Sequence, residues 1–426
     1  MERDPLGYAR RAAALGDSQA MTTDAPAAET LPRAPVKARA APRIGIFGGY
    51  GSGNFGNDAS FEALYQYLRA EHPDAEIAAI CSEPDIVAQR FDVPVVEIAK
   101  RPAGIWRKLD TLLLRQPSTW MNWLLCWQAL GKFDVILSGG TGVFDDFRDT
   151  PLGWPSKLFR WCTAARMRGV RWIFVCIGAG PIVSPISREM MKHAGRLGER
   201  RLYRDQDSYD FMRKLGVDGP GDGVWPDLAF ILPAPQSERP ANAPLTIGVG
   251  VMTYRGWHAS TAAYEAYVDL HVRLIRWLEA EGHGVRCIIG QAPTDLIALR
   301  DVEARLGRKL VGPREESMSS IHDAMAAIGE TDMVIASRYH VQIAALKMNR
   351  PLISLGYGPK NDALMADVGL GEFCHDVENV DFDRLTQQIR AMAAERQRYA
   401  GIVREKVSAL TTSLRGALKG LELTGD

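Results

Sequence analysis

The sequence predicts an α/β protein made of two doubly wound, Rossmann-like domains that face each other across a cleft. Two observations lead to this prediction. Short apolar runs rich in β-branched residues alternate with segments of helical periodicity, as in parallel βαβ units. A proline-rich stretch at 232–244 interrupts the alternation, and 426 residues exceed what one core usually needs. We therefore predict an N-terminal domain at 43–231 and a C-terminal domain at 245–380, joined by a linker at 232–244.

The two ends of the chain differ in pattern. Residues 1–42 are rich in Ala, Pro and mixed charge without a sustained period, so we expect a disordered leader. Order should begin with a strand at Arg43–Phe47, and an amphipathic helix should follow with Asn57 or Asp58 as its cap. Residues 381–426 are expected to form a helical segment that closes the chain.

The other strands are predicted from short buried runs between turn residues. The predicted ranges are Glu76–Cys81, Val95–Ile98, Asp134–Leu137, Trp172–Ile177 and Arg201–Tyr203 in the first domain, and Thr246–Val251, Val285–Ile289, Met333–Ala336 and Leu352–Ser354 in the second. Because parallel strands end at one edge of a sheet, the loops after these strands should line the cleft.

Composition and charge argue against several functional classes. Lys+Arg and Asp+Glu both number 51, so there is no general basis for binding nucleic acid. The N-terminus lacks the apolar core of a signal peptide, and no run reaches the roughly 18 apolar residues of a spanning helix. Six cysteines without CxxC spacing suit buried thiols in a reducing cytoplasm. We expect a cytoplasmic protein, and histidine spacing gives no reason to expect a metal.

The turn Ser337–His340 is the strongest candidate for a functional site. A buried strand ends there and helical spacing resumes, which places Ser337, Arg338 and His340 at a helix N-terminus. Free backbone N–H groups and the helix dipole make such a turn an anion site. An isolated histidine is more often structural, but His340 lies two residues from Arg338, which favours a proton donor acting on a bound anion.

The next strand extends this candidate site. It should deliver Tyr357 and Lys360 to the same carboxyl edge of the sheet, where α/β proteins bind ligands. Arg204 follows a strand of the first domain in the same way. It can bind a carboxylate or phosphate, although a surface ion pair with Asp205 explains it equally well.

The segment Gly51–Gly56 matches the pattern G-x-G-x-x-G, which alone suggests a dinucleotide site. It begins several residues after the strand, however, whereas the usual fingerprint leaves the strand at its first glycine. We therefore interpret Gly51, Gly53 and Asn54 as part of a flexible loop that lines the cleft together with Asp58. A simple turn is less consistent with so many glycines.

A second glycine-rich segment follows the predicted strand Asp134–Leu137. Gly139 and Gly140 allow the backbone to approach a ligand closely, and Asp145 or Asp146 could act as a base for a hydroxyl group. A solvated turn with surface acids is an equally good explanation.

Tryptophans are concentrated in the segment 105–172, with basic residues among them. Core packing, sugar stacking and contact with a membrane surface are the three explanations that remain open. The tryptophans are Trp106, Trp120, Trp123, Trp127, Trp154, Trp161 and Trp172, and the basic residues are Arg101, Arg107, Lys108 and Arg115.

Taken together, these motifs resemble the polysaccharide pyruvyl transferase family over about residues 43–370. The matching pieces are Gly49-Tyr-Gly-Ser-Gly-Asn-Phe-Gly-Asn57, Ser138-Gly-Gly-Thr-Gly-Val-Phe-Asp-Asp146, Gly178-Ala-Gly-Pro181, Tyr203-Arg-Asp205, Ser337-Arg-Tyr-His340, Pro351 and Tyr357-Gly-Pro-Lys360. The resemblance implies a GT-B-like fold and transfer of pyruvate from phosphoenolpyruvate to a saccharide as a cyclic ketal. It also implies that Arg338 and His340 serve the donor.

The resemblance gives each candidate residue an expected role. Arg338, Lys360 and Arg204 would hold phosphoenolpyruvate, and His340 would protonate its methylene carbon. Asp58, Asp145 or Asp146 would remove protons from an acceptor that could be linked to a lipid. No cofactor is required. Two other hypotheses are a glycosyltransferase that uses a nucleotide sugar on the same fold and a non-catalytic relative.

Overall fold

A computed structural model describes residues 41–423 except 101, 113–115, 141, 147–148, 236, 238, 240–243, 257–259 and 314–319. Nearly all of the predicted leader at 1–42 lies outside the described residues, as does about half of the predicted linker. The proposed domain bounds therefore stay predictions, whereas the two predicted sheets are both present.

The first sheet has seven parallel strands in the order β3-β2-β1-β4-β5-β6-β7. They are β1 (Arg43–Gly48), β2 (Glu76–Cys81), β3 (Val95–Glu97), β4 (Val135–Gly139), β5 (Arg171–Ile177), β6 (Arg200–Tyr203) and β7 (Gly223–Val224). The strand order reverses between β1 and β4. In open α/β sheets, ligands bind beyond the carboxyl ends of the strands at such a reversal.

The second sheet has five parallel strands in the order β12-β11-β10-β8-β9. They are β8 (Thr246–Gly250), β9 (Gly284–Ile288), β10 (Met333–Ala336), β11 (Leu352–Gly356) and β12 (Cys374–Asp376). Its reversal lies between β8 and β10, so the loop after β10, which contains Arg338, starts at the position where a ligand is expected.

Helices connect the strands of both sheets, and a pair of helices closes the chain. In order they are α1 (Phe55–Glu71), α2 (Pro84–Phe91), α3 (Gly104–Leu112), α4 (Gln116–Leu130), α5 (Trp154–Arg168), α6 (Pro185–Leu197), α7 (Gln206–Lys214), α8 (Thr261–Ala280), α9 (Thr294–Leu306), α10 (Ile321–Gly329), α11 (Tyr339–Lys347), α12 (Pro359–Asp367), α13 (Phe382–Ala394) and α14 (Arg396–Lys419). Short 3₁₀ helices occur at Leu228–Ile231 and Gly371–Phe373.

The predicted strands are all present, with ends that differ by at most two residues. They could be found because both faces of a parallel sheet are covered, so each strand is a nearly continuous apolar run. All five residues of β4, for example, are buried. Strands β7 and β12 were not predicted, because the two residues of β7 and the sequence Cys-His-Asp of β12 do not form an apolar run.

The start of α1 differs from the prediction. The helix begins at Phe55, and Asn54 is its cap, with a side-chain oxygen that accepts a hydrogen bond from Gly56 N. The prediction of Asn57 or Asp58 as the cap was therefore wrong. Gly56, Asn57 and Asp58 follow Phe55 in the first turn and interrupt the apolar spacing from which the start of the helix could be read.

The C-terminal helix α14 returns to the first sheet. Arg200 Nη1 donates to Gly420 O and Arg171 Nη1 to Glu422 O, each at 2.8 Å. Lys347 Nζ and Thr411 Oγ1 both donate to Phe230 O, at 2.7 and 3.2 Å. The 3₁₀ helix Leu228–Ile231, which follows directly after Asp227, is thereby fixed to α11 and α14.

The cysteines are free thiols. Five are buried and Cys374 is partly buried. Burial raises the pKa of the Cys81 thiol to about 12, and it raises the pKa of Cys126, Cys162, Cys176 and Cys374 as well. These side chains therefore behave as small apolar residues of the core.

Candidate active site

The loop after β1 in the first sheet contacts the loop after β9 in the second sheet. Asn54 forms an isolated antiparallel bridge with Gln291, and Phe55 N donates to Gly290 O at 3.4 Å. Gly53 has a φ of +75°, and a Cβ at this residue would lie 2.9 Å from Ala292 O. The glycine-rich loop therefore packs against the second sheet directly beside the predicted anion site.

His340 lies between the two domains. It is the second residue of α11, and only 12% of its side chain is exposed. One edge of the ring contacts the first turn of α1, where a Cβ on Gly56 would overlap Nδ1. On the other edge, Nε2 is 3.5 Å from Asp227 Oδ2. Residues of the first domain thus determine the position of this histidine.

Gly56 can be used to test this contact. Because Gly56→Ala places a methyl group where the ring lies, we expect it to displace His340 and lower activity about 100-fold, as small displacements of catalytic groups do. The helix itself should not be destabilised, since Ala favours helix over Gly. Steady-state turnover and thermal unfolding would be measured together.

Gly401→Ala is the matched control for this substitution. Gly401 lies in α14 with open space around its Cβ position, so activity should be unchanged and stability should rise by about 0.5–1 kcal/mol. Full activity of Gly56→Ala would show that the observed position of His340 is not needed.

Asp227 is a site residue that the sequence analysis missed. Its carboxylate is 1% exposed, accepts a hydrogen bond from Ala229 N at 3.0 Å and lies 3.8 Å from Arg204 Nη1. Burial raises its pKa, but His340, Arg204 and the Ala229 N–H together hold the pKa below its ordinary value.

Burial is the largest influence on the pKa of His340 and lowers it. The charge of Asp227 raises this pKa, whereas Arg204 and Lys360 lower it further, and the net direction is down. His340 is therefore mainly neutral at neutral pH without a ligand. An anion bound near Arg204 and Lys360 would oppose the effect of both cations and return a proton to the ring.

Two cations lie over the ring of Tyr339. Arg204 Cζ is 5.0 Å and Lys360 Nζ 5.8 Å from its centroid, and Lys360 Nζ is also 4.8 Å from the ring of Tyr357. Arg204 has carboxylate neighbours, with Asp205 Oδ2 3.3 Å from its Nε. No carboxylate among the described residues forms an ion pair with Lys360, so its charge is available to a ligand.

Nearby cations also lower the pKa of the Tyr357 hydroxyl. Burial raises its pKa, but Lys360 and then Arg338 lower it by more, and the net direction is down. A phenol whose pKa falls despite burial indicates a strongly positive environment. Tyr357, Arg204 and Lys360 are thus brought together as the sequence predicted.

Arg338 is less free than the sequence suggested. Its Nε and Nη2 atoms lie 2.5 and 2.6 Å from the two oxygens of Asp295, which is fully buried in α9. Nη1 takes no part in this bidentate pair. Arg338 therefore stabilises a buried carboxylate and can offer a ligand only its remaining edge.

Ser337 is fully buried, and its backbone oxygen accepts a hydrogen bond from Asn361 Nδ2 at 3.1 Å. Its hydroxyl is 3.5 Å from Tyr267 OH. Within the described structure these contacts tie the turn after β10 to α8 and α12. As a ligand contact, Ser337 stays a prediction.

Asp58 and Asp146, two of the predicted carboxylate bases, hold backbone segments in place. Asp58 accepts hydrogen bonds from Gly51 N and Arg90 Nη1, at 2.8 and 3.0 Å, and thus holds the glycine-rich loop to α1 and α2. Asp146 accepts from Val183 N and Ser184 N, both at 2.8 Å, and fixes the start of α6. Both are buried.

Asp145 is less buried than these two carboxylates. It is partly exposed, and its carboxylate lies over the backbone of Gly142. Of the three candidates it is the most accessible to an acceptor hydroxyl. Its role as a base stays a prediction.

The predicted glycines lie at or near the carboxyl edge of β1 and β4. Gly51 and Gly140 have positive φ angles of 82° and 107°, which favour glycine at both positions. Gly139 is covered by Tyr50, whose hydroxyl donates to Gly139 O at 2.8 Å, and by Leu228. Gly139 and Gly140 are both buried, so this loop is filled by protein side chains more than the sequence suggested.

Solved structures with the same architecture include one complex with UDP and one with UDP-GlcNAc. The Staphylococcus aureus MnaA complex with UDP has a TM-score of 0.57 at 13% identity, covering 89% of this chain and 96% of that one. The Neisseria meningitidis UDP-GlcNAc 2-epimerase bound to UDP-GlcNAc has a TM-score of 0.56 at 10% identity, covering 89% of this chain and 98% of that one. The glycotransferase of kitacinnamycin has a TM-score of 0.53 at 14% identity, covering 91% of this chain and 100% of that one. At these identities the similarity shows the fold, which is GT-B.

Comparison of sequences gives a more specific result. No curated protein matches the chain. The family model for polysaccharide pyruvyl transferases matches residues 54–359, a range that begins at the cap of α1 and ends at the start of α12. This match covers well over half of the 426 residues and includes His340, Asp227 and Arg204. The chain belongs to the polysaccharide pyruvyl transferase family.

Proposed function

We propose that this protein transfers pyruvate from phosphoenolpyruvate to two hydroxyl groups of a saccharide, forming a cyclic ketal and releasing phosphate. The observation that carries the proposal is the position of His340, a buried histidine beside Asp227 and within reach of the charges of Arg204 and Lys360. Such an arrangement gives an anionic donor both a binding site and a proton source.

Phosphoenolpyruvate matches the cations in charge and chemistry. It carries a phosphate and a carboxylate, for which Lys360, Arg204, the free edge of Arg338 and the N–H groups at the start of α11 provide donors. Because the bound anions offset the positive charges that depress the pKa of His340, donor binding itself would load the histidine with its proton.

The reaction then proceeds in two additions. His340 gives its proton to the methylene carbon, and the resulting cationic carbon at C2 is attacked by the first hydroxyl oxygen. The C2–O bond to phosphate breaks, and phosphate leaves with the bonding electrons. The second hydroxyl attacks C2 and closes the ketal. Of the two hydroxyl protons, one restores His340, and the other is taken by Asp145 and passed to phosphate or solvent.

The acceptor side of the site belongs to the first domain in this proposal. Asp145 is the candidate base with an accessible carboxylate, and it lies in the loop after β4 that reaches the same carboxyl edge as Gly51 and Gly53. The acceptor is a saccharide of an envelope or exopolysaccharide precursor, free or linked to a lipid. Six free thiols suit a reducing compartment, so we place the reaction in the cytoplasm.

A nucleotide-sugar transferase is the second candidate function. The neighbouring structures that contain UDP or UDP-GlcNAc favour it, since they share the fold. The family match argues for the first candidate, because it spans both domains including the Arg338–His340 turn.

Ligand-dependent thermal unfolding separates the two functions. We expect phosphoenolpyruvate to raise the unfolding midpoint of the full chain by a few degrees at a concentration about 100 times its dissociation constant. UDP and UDP-GlcNAc should leave the midpoint unchanged, and Lys360→Met should remove most of the response to phosphoenolpyruvate. Stabilisation by UDP alone would favour the nucleotide-sugar function instead.

A further inference from the structure

An exposed apolar face lies on α3 and α4. On α4, Trp120, Leu124 and Trp127 follow one another at helical spacing and are 72%, 57% and 39% exposed. On α3, Ile105 and Leu112 are both 76% exposed. Soluble proteins rarely expose so many large apolar side chains together, and such patches usually mark an interaction site. We call this surface the α3–α4 face.

The opposite side of α4 is anchored firmly in the protein. Cys126 and Leu130 are buried in the core, and Asn122 is buried while hydrogen-bonded to the backbone of Lys100 and Ser118. Helix α4 is thus apolar on both sides, although only one side has a partner within the described residues. Ordinary core packing therefore explains Trp161 and Trp172, which are buried, but not Trp120 or Trp127.

The segment that contains this face is mainly basic in sequence. Between positions 100 and 132 the sequence has six basic residues and a single acidic residue, Asp110, in a chain whose net charge is zero. Asp110 is buried and accepts a hydrogen bond from Ser118 N at 2.8 Å, so it contributes little at the surface. Lys100 and Lys108 are exposed, and Arg168 lies 4.7 Å from the ring of Trp127.

We propose that the α3–α4 face docks on an anionic lipid surface. Exposed Trp and Leu side chains with Lys and Arg around them match the boundary between lipid headgroups and acyl chains. A second copy of the chain is a poorer fit, since a two-fold dimer would place this positive face against itself. No helix within the described residues is long and apolar enough to cross a bilayer. The contact would accordingly be peripheral, and it is independent of the reaction proposed above.

Vesicle flotation with the full chain tests the proposal. We expect binding to vesicles that contain phosphatidylglycerol and little binding to pure phosphatidylcholine. The variant Trp120→Ser/Leu124→Ser/Trp127→Ser should lose at least about tenfold in affinity because it removes the apolar anchor. The variant Lys100→Glu/Lys108→Glu should lose about fivefold or more in vesicle affinity for each substituted position.

Ile297→Ser/Val311→Ser is the matched control. These residues of the second domain are 46% and 59% exposed, and their substitution should leave vesicle binding unchanged. Thermal unfolding is to be measured for every variant as a check that it is folded. Equal vesicle binding by the triple variant, or no binding to any vesicle by the wild type, would overturn the proposal. A dimer that the triple variant abolishes, without vesicle binding, would assign the face to a second copy.

Discussion

Replacing His340 with alanine should abolish the release of phosphate from phosphoenolpyruvate in the presence of acceptor. We expect a loss of at least about 10³-fold, since a general acid that also protonates carbon has no ready substitute in water. Affinity for phosphoenolpyruvate should stay largely intact, because Lys360 and Arg204 remain. Calorimetric titration and a phosphate-release assay measure these two quantities separately.

His193→Ala is the control for this experiment. His193 is exposed on α6, where its ring contacts Phe159, and its loss should change neither quantity. Unchanged turnover in His340→Ala would refute the role of His340 and would mean that the proton comes from another group.

The pH dependence of the wild type follows from the same histidine. With His340 as the proposed proton donor, kcat/KM should fall as pH rises through the pKa of this histidine in the free enzyme, which lies below the ordinary value of about 6.5. The corresponding fall in kcat should occur at higher pH, because bound phosphoenolpyruvate raises that pKa.

The second large effect is expected at Asp227. Asp227→Asn removes the charge that raises the pKa of His340, so the fall in kcat/KM should move to still lower pH. We expect kcat near neutral pH to decrease by about 10- to 100-fold through the loss of protonated and correctly placed imidazole. Donor affinity should change less, since Arg204 retains Asp205 as a neighbour.

Asp222→Asn distinguishes this positioning role from a general loss of stability. Asp222 is a carboxylate paired with Arg201 at 2.6 Å outside the site. Its substitution should lower stability, as removal of one partner of a buried pair does, but leave the pH profile in place. If Asp227→Asn gave the same result as Asp222→Asn, Asp227 would have only a structural role.

The fold and part of the site could be predicted because their signals are local. The buried strand β10 and the helical spacing after it are contiguous in sequence, which is why the turn containing Arg338 and His340 was placed correctly. The same holds for the glycine-rich loops, whose position after β1 and β4 follows from strand order. Parallel topology then directs all of these turns to one edge.

The remaining features depend on contacts between distant residues. Asp227 caps the 3₁₀ helix Leu228–Ile231, and the packing of this helix on α11 and α14 brings it to His340. Its one local signal is a lone acid before an apolar run, which indicates burial but no partner. The pairing of Arg338 with Asp295, 43 positions apart, was invisible for the same reason.

The central claim is that a proton from the protein is added to carbon during pyruvate transfer. Reaction of phosphoenolpyruvate with a panel of saccharide acceptors in D₂O tests it directly, with mass spectrometry of the product. We expect release of phosphate and a ketal whose methyl group carries one deuterium from solvent. A ketal without deuterium, release of free pyruvate alone, or consumption of a nucleotide sugar in place of phosphoenolpyruvate would contradict the claim.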